Sequence, residues 1–242
     1  MRINKLLIVF FLLGVFTLCQ HKNKLIIGTG DYTPFEFYDS HGKLSGYDIE
    51  LGERIAKELN LEIEWKTFHF QDLFFRLEDN TIDAIIAAIH ITPERKKKYL
   101  FSIPYLNTGL VFITNKNNHI GSDIDDFKNK RIAAKVKATG ANFLLENRAK
   151  YFFEVVQYSE TSECFYALSE NKVDAVLSDY LSARNYLKSN PSFKIATTPF
   201  NYAGLGIVAK LNNKPLIERI NKVLTKLEEN GFLHSLYIKW LL

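Results

Sequence analysis

The chain repeats itself, and the repeat limits the folds open to it. "DLFFRLEDNTIDAIIA" from Asp72 aligns without gaps on "ECFYALSENKVDAVLS" from Glu163. Phe74, Leu77, Asn80, Asp83 and Ala84 recur as Phe165, Leu168, Asn171, Asp174 and Ala175. Each copy reads as a short helix, a polar turn at Asn80 or Asn171, and an apolar strand. Each half also opens alike, with "NKLIIGTG" from Asn23 and "NKRIAAKV" from Asn129. Unrelated α/β units share part of this pattern. The matching order strand, helix, strand, helix, strand in both halves favours two α/β lobes, each a mainly parallel sheet with crossover helices. Ligands of such sheets bind beyond the carboxyl ends of the strands. For the repeated strands those ends are residues 88–91 and 179–180, and two facing lobes would bring them together across a cleft.

Other segments fit this plan. Residues 48–59 carry a helical stripe of Ile49, Ile55, Ala56 and Leu59 that stops at Asn60, and 110–114 and 204–209 read as strands. Residues 215–240 read as helix, with Pro215 in the first turn and Gly231 as a break. Most of these apolar stripes are core. The expected division is 20–108 with 200–242 for the first lobe and 109–199 for the second.

Residues 1–19 read as an export signal. Arg2 and Lys5 precede an apolar stretch at 6–18 that is too short to span a bilayer permanently. Cys19 lies where the signal ends, which makes it a candidate for lipid modification, although Leu18 is larger than the residue usual before a lipidated cysteine. Ordinary cleavage nearby is the alternative. Cys164 would then stand without an internal disulfide partner, so stability rests on the core. The chain has 31 Lys and Arg against 27 Asp and Glu, a net +4. Losing Arg2 and Lys5 leaves an excess too small for nucleic-acid binding. The six histidines are scattered without metal-ligand spacing, and no nucleophile motif is present. No catalytic residue, metal or cofactor is expected.

"GYDIELGERIAKEL" from Gly46, "ITPERKKKYLFSIPY" from Ile91 and "DYTPFEF" from Asp31 carry a resemblance to family 3 extracellular solute-binding proteins, the polar amino-acid receptors of ABC importers. The resemblance runs from about Leu25 to the end of the chain. It implies the two-lobed, type II periplasmic-binding-protein-like fold. It further implies a free amino acid as ligand, polar or basic by preference, a membrane permease as partner, and a monomer at the cell surface or in the periplasm.

The resemblance also assigns roles. Arg95 would grip the ligand carboxylate, for which a guanidinium fork is better shaped than an ammonium. Asp179 would accept hydrogen bonds from the α-ammonium, with helix capping as the plainer role. Tyr32 and Phe70 match positions where aromatic rings lie against the ligand side chain. Asp31 and Asp48 would put carboxylates near the same mouth, with fixing a loop where a helix begins as the plainer role of Asp48. Backbone amides of Ala88, His90 and Thr139 would face the carboxylate.

Three departures from the family pattern stand out. Ala88 and His90 replace small hydroxyl-bearing residues, so His90 either narrows the pocket or turns away. Lys137-Ala138-Thr139 replaces a Gly-Thr pair, and Lys137 adds positive charge. "GTGDYTPF" also resembles cyclohexadienyl dehydratases, but the glutamate those enzymes place shortly after the aspartate matching Asp179 is absent from Tyr180-Leu181-Ser182-Ala183. Without that general acid the dehydration is not expected. A sensor domain of a membrane signalling protein is likewise not expected, since no further membrane segment follows before Leu242.

Overall fold

A computed structural model describes residues 24–118 and 120–242. The proposed export signal and Cys19 lie outside them. The first sheet begins with β1 (Lys24–Thr29). A short hairpin of β2 (Phe37–Tyr38) and β3 (Leu44–Ser45) follows, then α1 (Tyr47–Glu58), β4 (Glu62–Thr67), α2 (Phe70–Glu78), β5 (Ala84–Ile85), α3 (Pro93–Lys96) and β6 (Tyr99–Phe101). The chain then crosses into a second sheet through β7 (Leu106–Asn115). There it builds β8 (Arg131–Lys135), α4 (Thr139–Tyr151), β9 (Glu154–Tyr158), α5 (Thr161–Ser169), β10 (Ala175–Asp179), α6 (Tyr180–Ser189), β11 (Phe193–Ile195) and β12 (Phe200–Leu205). It returns as β13 (Val208–Lys210) and ends in α7 (Lys214–Glu229) and α8 (Phe232–Leu241).

The sheet orders are β4-β1-β5-β13-β6 and β11-β7-β10-β8-β9, with β12 also on β7. Each has a parallel core, β4-β1-β5 or β9-β8-β10, extended by antiparallel strands. The antiparallel members β6, β13, β7 and β12 are strands that leave for the other sheet or enter from it, while β11 follows α6 and pairs with β7 inside the second sheet. The expected strand at 204–209 is therefore two strands on two sheets. Pairing of β12 with β7 puts residues 200–205 on the second sheet, although the sequence groups them with the first lobe. The two crossings run side by side: Tyr105 N donates to Leu205 O at 3.0 Å and Ser102 N to Ile207 O at 2.9 Å.

The repeat proves to be one piece of architecture used twice. Helices α2 and α5 both end in a Schellman motif. Thr81 N donates to Arg76 O and Lys172 N to Ala167 O, with Asn80 and Asn171 left-handed at φ 64° and 54°. Asparagine tolerates that conformation better than other side chains, which accounts for its recurrence. The repeated aspartates clip the start of the neighbouring parallel strand. Asp83 accepts from Ile26 N at 2.8 Å and Asp174 from Arg131 N at 2.9 Å. Each sheet buries apolar side chains on both faces, Ile27, Leu51 and Leu224 on one side of the first sheet and Leu73 and Ile85 on the other. Phe112 and Phe127 fill one side of the second sheet and Phe165 and Val176 the other.

Candidate functional site

The carboxyl ends of β5 and β10 face each other across a cleft, as the sheet rule requires, and the lobes are closed on it. Among the described residues, several side-chain contacts join the two sides across it. His90 Nε2 lies 3.1 Å from Asp179 Oδ2, Arg95 Nη2 donates to Lys137 O at 3.2 Å, and the Tyr32 and Ser178 hydroxyls are 3.1 Å apart. Ser182 Oγ donates to Thr33 O at 2.9 Å, Lys137 Nζ to Gln71 O at 3.5 Å, and His69 Nδ1 lies 2.8 Å from Glu160 Oε1. Between the lobes is a cavity.

Seven of the eight expected ligand residues, Tyr32, Phe70, Ala88, His90, Arg95, Thr139 and Asp179, line this cavity. Asp31 does not. It is exposed on a neighbouring outer cleft that shares Tyr32 and Thr161 with the cavity, because Tyr32 turns inward and its neighbour in the extended loop turns outward.

Arg95 differs from the lysines that follow it. Lys96, Lys97 and Lys98 are exposed, while Arg95 is drawn into the cleft, where Nη1 donates to His90 O at 2.9 Å and the guanidinium lies 5.8 and 5.5 Å from the centroids of Phe70 and Phe74. Thr92 caps the short helix that carries it and accepts from Arg95 N at 3.3 Å. Burial lowers its pKa to about 10, against a small upward pull from Glu94. Among the described residues no carboxylate is within ion-pair distance of it. The carbonyl that Lys137 offers to Arg95 comes from a left-handed turn, φ 59°, a conformation that favours glycine. Helix α4 starts beside this turn with Thr139 and Gly140 on the cavity wall, so unsatisfied first-turn amides and the positive end of a helix dipole border the same space. A Cβ on Gly140 would meet Leu177 O at 2.9 Å, so only glycine lets α4 lie this close to β10.

Asp179 does two things. Oδ1 caps α6, accepting from Leu181 N at 2.8 Å and Ser182 N at 3.4 Å, and Oδ2 takes His90. A carboxylate oxygen only accepts, so the bond puts a proton on His90 Nε2. Nδ1 is buried without a hydrogen-bond partner among the described residues. His90 therefore narrows the pocket; it does not turn away.

Two further expectations are corrected. The amide of Ala88 does not face the cavity, because it donates to Asp48 Oδ2 at 2.6 Å. Asp48 in turn is not at the mouth; it is fully buried and also accepts from Tyr105 Oη at 2.9 Å, which ties α1 to the loop after β5. Its loop-fixing role stands. Burial pushes its carboxyl up to about 7, those two donors pulling partly back.

Lys135 and Ser178 line the cavity without having been singled out from sequence. Both were findable: Ser178 precedes Asp179, and Lys135 ends the strand in "NKRIAAKV", where the carboxyl-end rule applies equally. Lys135 is 8% exposed and its Nζ lies 2.8 Å from Glu160 Oε2. Among the described residues no group of His, Cys, Asp and Glu has the arrangement of a metal site.

The family model for bacterial extracellular solute-binding proteins, family 3, matches residues 25–242. The L-cystine-binding protein TcyJ of Escherichia coli is 27% identical over 94% of this chain and 86% of its own length. The arginine-binding extracellular protein ArtP of Bacillus subtilis is 30% identical over 90% of this chain and 86% of its own. An ancestral arginine-binding protein solved with arginine bound superposes with a TM-score of 0.86 at 33% identity, covering 90% of this chain and 98% of that one.

Proposed function

The chain belongs to family 3 of the bacterial extracellular solute-binding proteins, and from that premise we propose that it captures one free polar amino acid between its lobes and delivers it to the membrane permease of an ABC importer. The observation that carries this reading is the state of Arg95. A desolvated guanidinium, held by two backbone carbonyls and bordering the amides that open α4, lacks a counter-ion among the described residues. A ligand carboxylate supplies that counter-ion and meets both lobes at once. Thr139 adds an amide from the second lobe, Tyr32 and Phe70 offer apolar faces to the side chain, and Asp179, with His90, meets the α-ammonium. Contacts available only when both lobes meet favour the closed form, which is how a ligand shifts such an equilibrium. The paired crossings at 102–105 and 206–207 are the natural hinge. We take the lobes to divide there.

Export through the signal at 1–19, lipid attachment at Cys19 and a monomeric state complete the proposal. Globomycin-sensitive processing tests the lipid. For the ligand, a thermal-shift panel of the common amino acids should raise the melting temperature with one or a few of them. Silence from all of them, with turnover of prephenate, would reverse the binding and dehydratase readings.

A further inference from the structure

Within the amino-acid reading, one buried charge bears on which amino acid. Lys135 ends β8 in the second lobe and reaches across the cleft, its ammonium 5.7 Å from the centroid of Tyr32 and 5.4 Å from that of Phe70. These are the rings expected to receive a ligand side chain. A cation is attracted to the face of such a ring, so the place that would hold the ligand's basic group already holds one from the protein. A second cation entering there would meet a like charge in a poorly hydrated space, where repulsion is weakly screened.

We infer that Lys135 sets side-chain selectivity and that the ligand is an acidic amino acid, its second carboxylate paired with Lys135 while Arg95 takes the first. Arg95 and Lys135 both lie within 6 Å of the Phe70 centroid, so one small ligand with two carboxylates beside that ring can reach both. Lys135 can be released to it. Its partner Glu160 keeps its bond to His69 and its capping bond to the backbone of Glu163 when Lys135 turns to a ligand. The inward carboxylate of Asp179 is already engaged by two amides and His90, which leaves little acceptor capacity for a ligand bearing two positive charges.

This inference rests on the proposed amino-acid function, and calorimetry separates the two. Wild-type protein is titrated with L-glutamate, L-aspartate, L-glutamine, L-arginine and L-lysine. An acidic ligand should bind at least about tenfold more tightly than the other three. Lys135→Met should weaken it by about a hundredfold, the cost of removing one partner of a buried charge pair, and should improve arginine relative to glutamate. Tighter wild-type binding of arginine, lysine or glutamine, or unchanged selectivity in a folded Lys135→Met, would overturn the assignment and leave the amino-acid function standing. Binding of no amino acid would remove both. Should Lys135→Met melt before titration, Lys135→Arg keeps the cation and should retain the acidic preference; its reversal would also overturn the assignment.

Discussion

Replacing Arg95 by alanine separates binding from folding. In the closed structure the guanidinium makes two bonds to carbonyl oxygens, at 2.9 and 3.2 Å, and bears the desolvation that lowers its pKa to about 10. The protein alone gains little from burying that charge, since what the two bonds contribute is offset by the cost of an uncompensated cation. Arg95→Ala should therefore leave the melting temperature of the ligand-free protein nearly unchanged. Binding is different: the ligand's carboxylate would lose its charged partner and keep only the α4 amides. Truncating one side of a buried, hydrogen-bonded charge pair costs about 2–5 kcal/mol, or about 30- to 5,000-fold in Kd. Arg95→Lys should fall between, because an ammonium keeps the charge but not the fork that serves a carboxylate and two carbonyls together. Isothermal calorimetry with the amino acid that gives the largest thermal shift measures all three proteins. Wild-type affinity in Arg95→Ala would refute the assignment.

Three further outcomes follow from the same geometry. His90→Ser removes a buried bond between lobes, and the ligand-free radius of gyration from small-angle scattering should rise as the open form gains population; an unchanged radius would mean the His90–Asp179 pair does not hold the lobes. The Asp48 carboxyl, raised by burial to about 7 from an unfolded value near 4, keeps a proton in the folded state that the unfolded chain releases. Its contribution is thus full below about pH 4 and lost as pH rises through about 7, a few kcal/mol in all, and buried Glu36, also raised, acts in the same sense. Asp48→Asn should flatten the decline in urea-unfolding free energy across that range, and an identical slope would show that Asp48 is not its source. Asn171→Ala at φ 54° should cost about 1 kcal/mol in the same assay, with Asn80→Ala similar; no loss would remove the conformational account of the repeated asparagine.

Much of this is legible in the sequence. A short apolar strand after a 3.6-period helix, twice, with the same asparagine between, fixes two α/β units and points to the ends of their strands. His90 and Asp179, one from each end, indeed touch. Local pattern does not report which way a loop residue turns or what its amide bonds. So the sequence puts Asp31 inside, where the structure has it outside, and the Ala88 amide toward a ligand, where the structure has it donating to Asp48. The carboxyl-end rule marks Lys135 as a site position, but only the opposing lobe shows that its ammonium is buried against Tyr32 and Phe70. The split of 204–209 between two sheets was hidden for a similar reason. Hydropathy is continuous across Leu205 to Val208 while the sheet partner changes.

The most direct test of the central claim is a crystal structure with that best-stabilising amino acid bound. The ligand's α-carboxylate should lie on the Arg95 guanidinium and the first amides of α4, between lobes closed as they are here. A ligand seated elsewhere, or one whose carboxylate avoids Arg95, would contradict it.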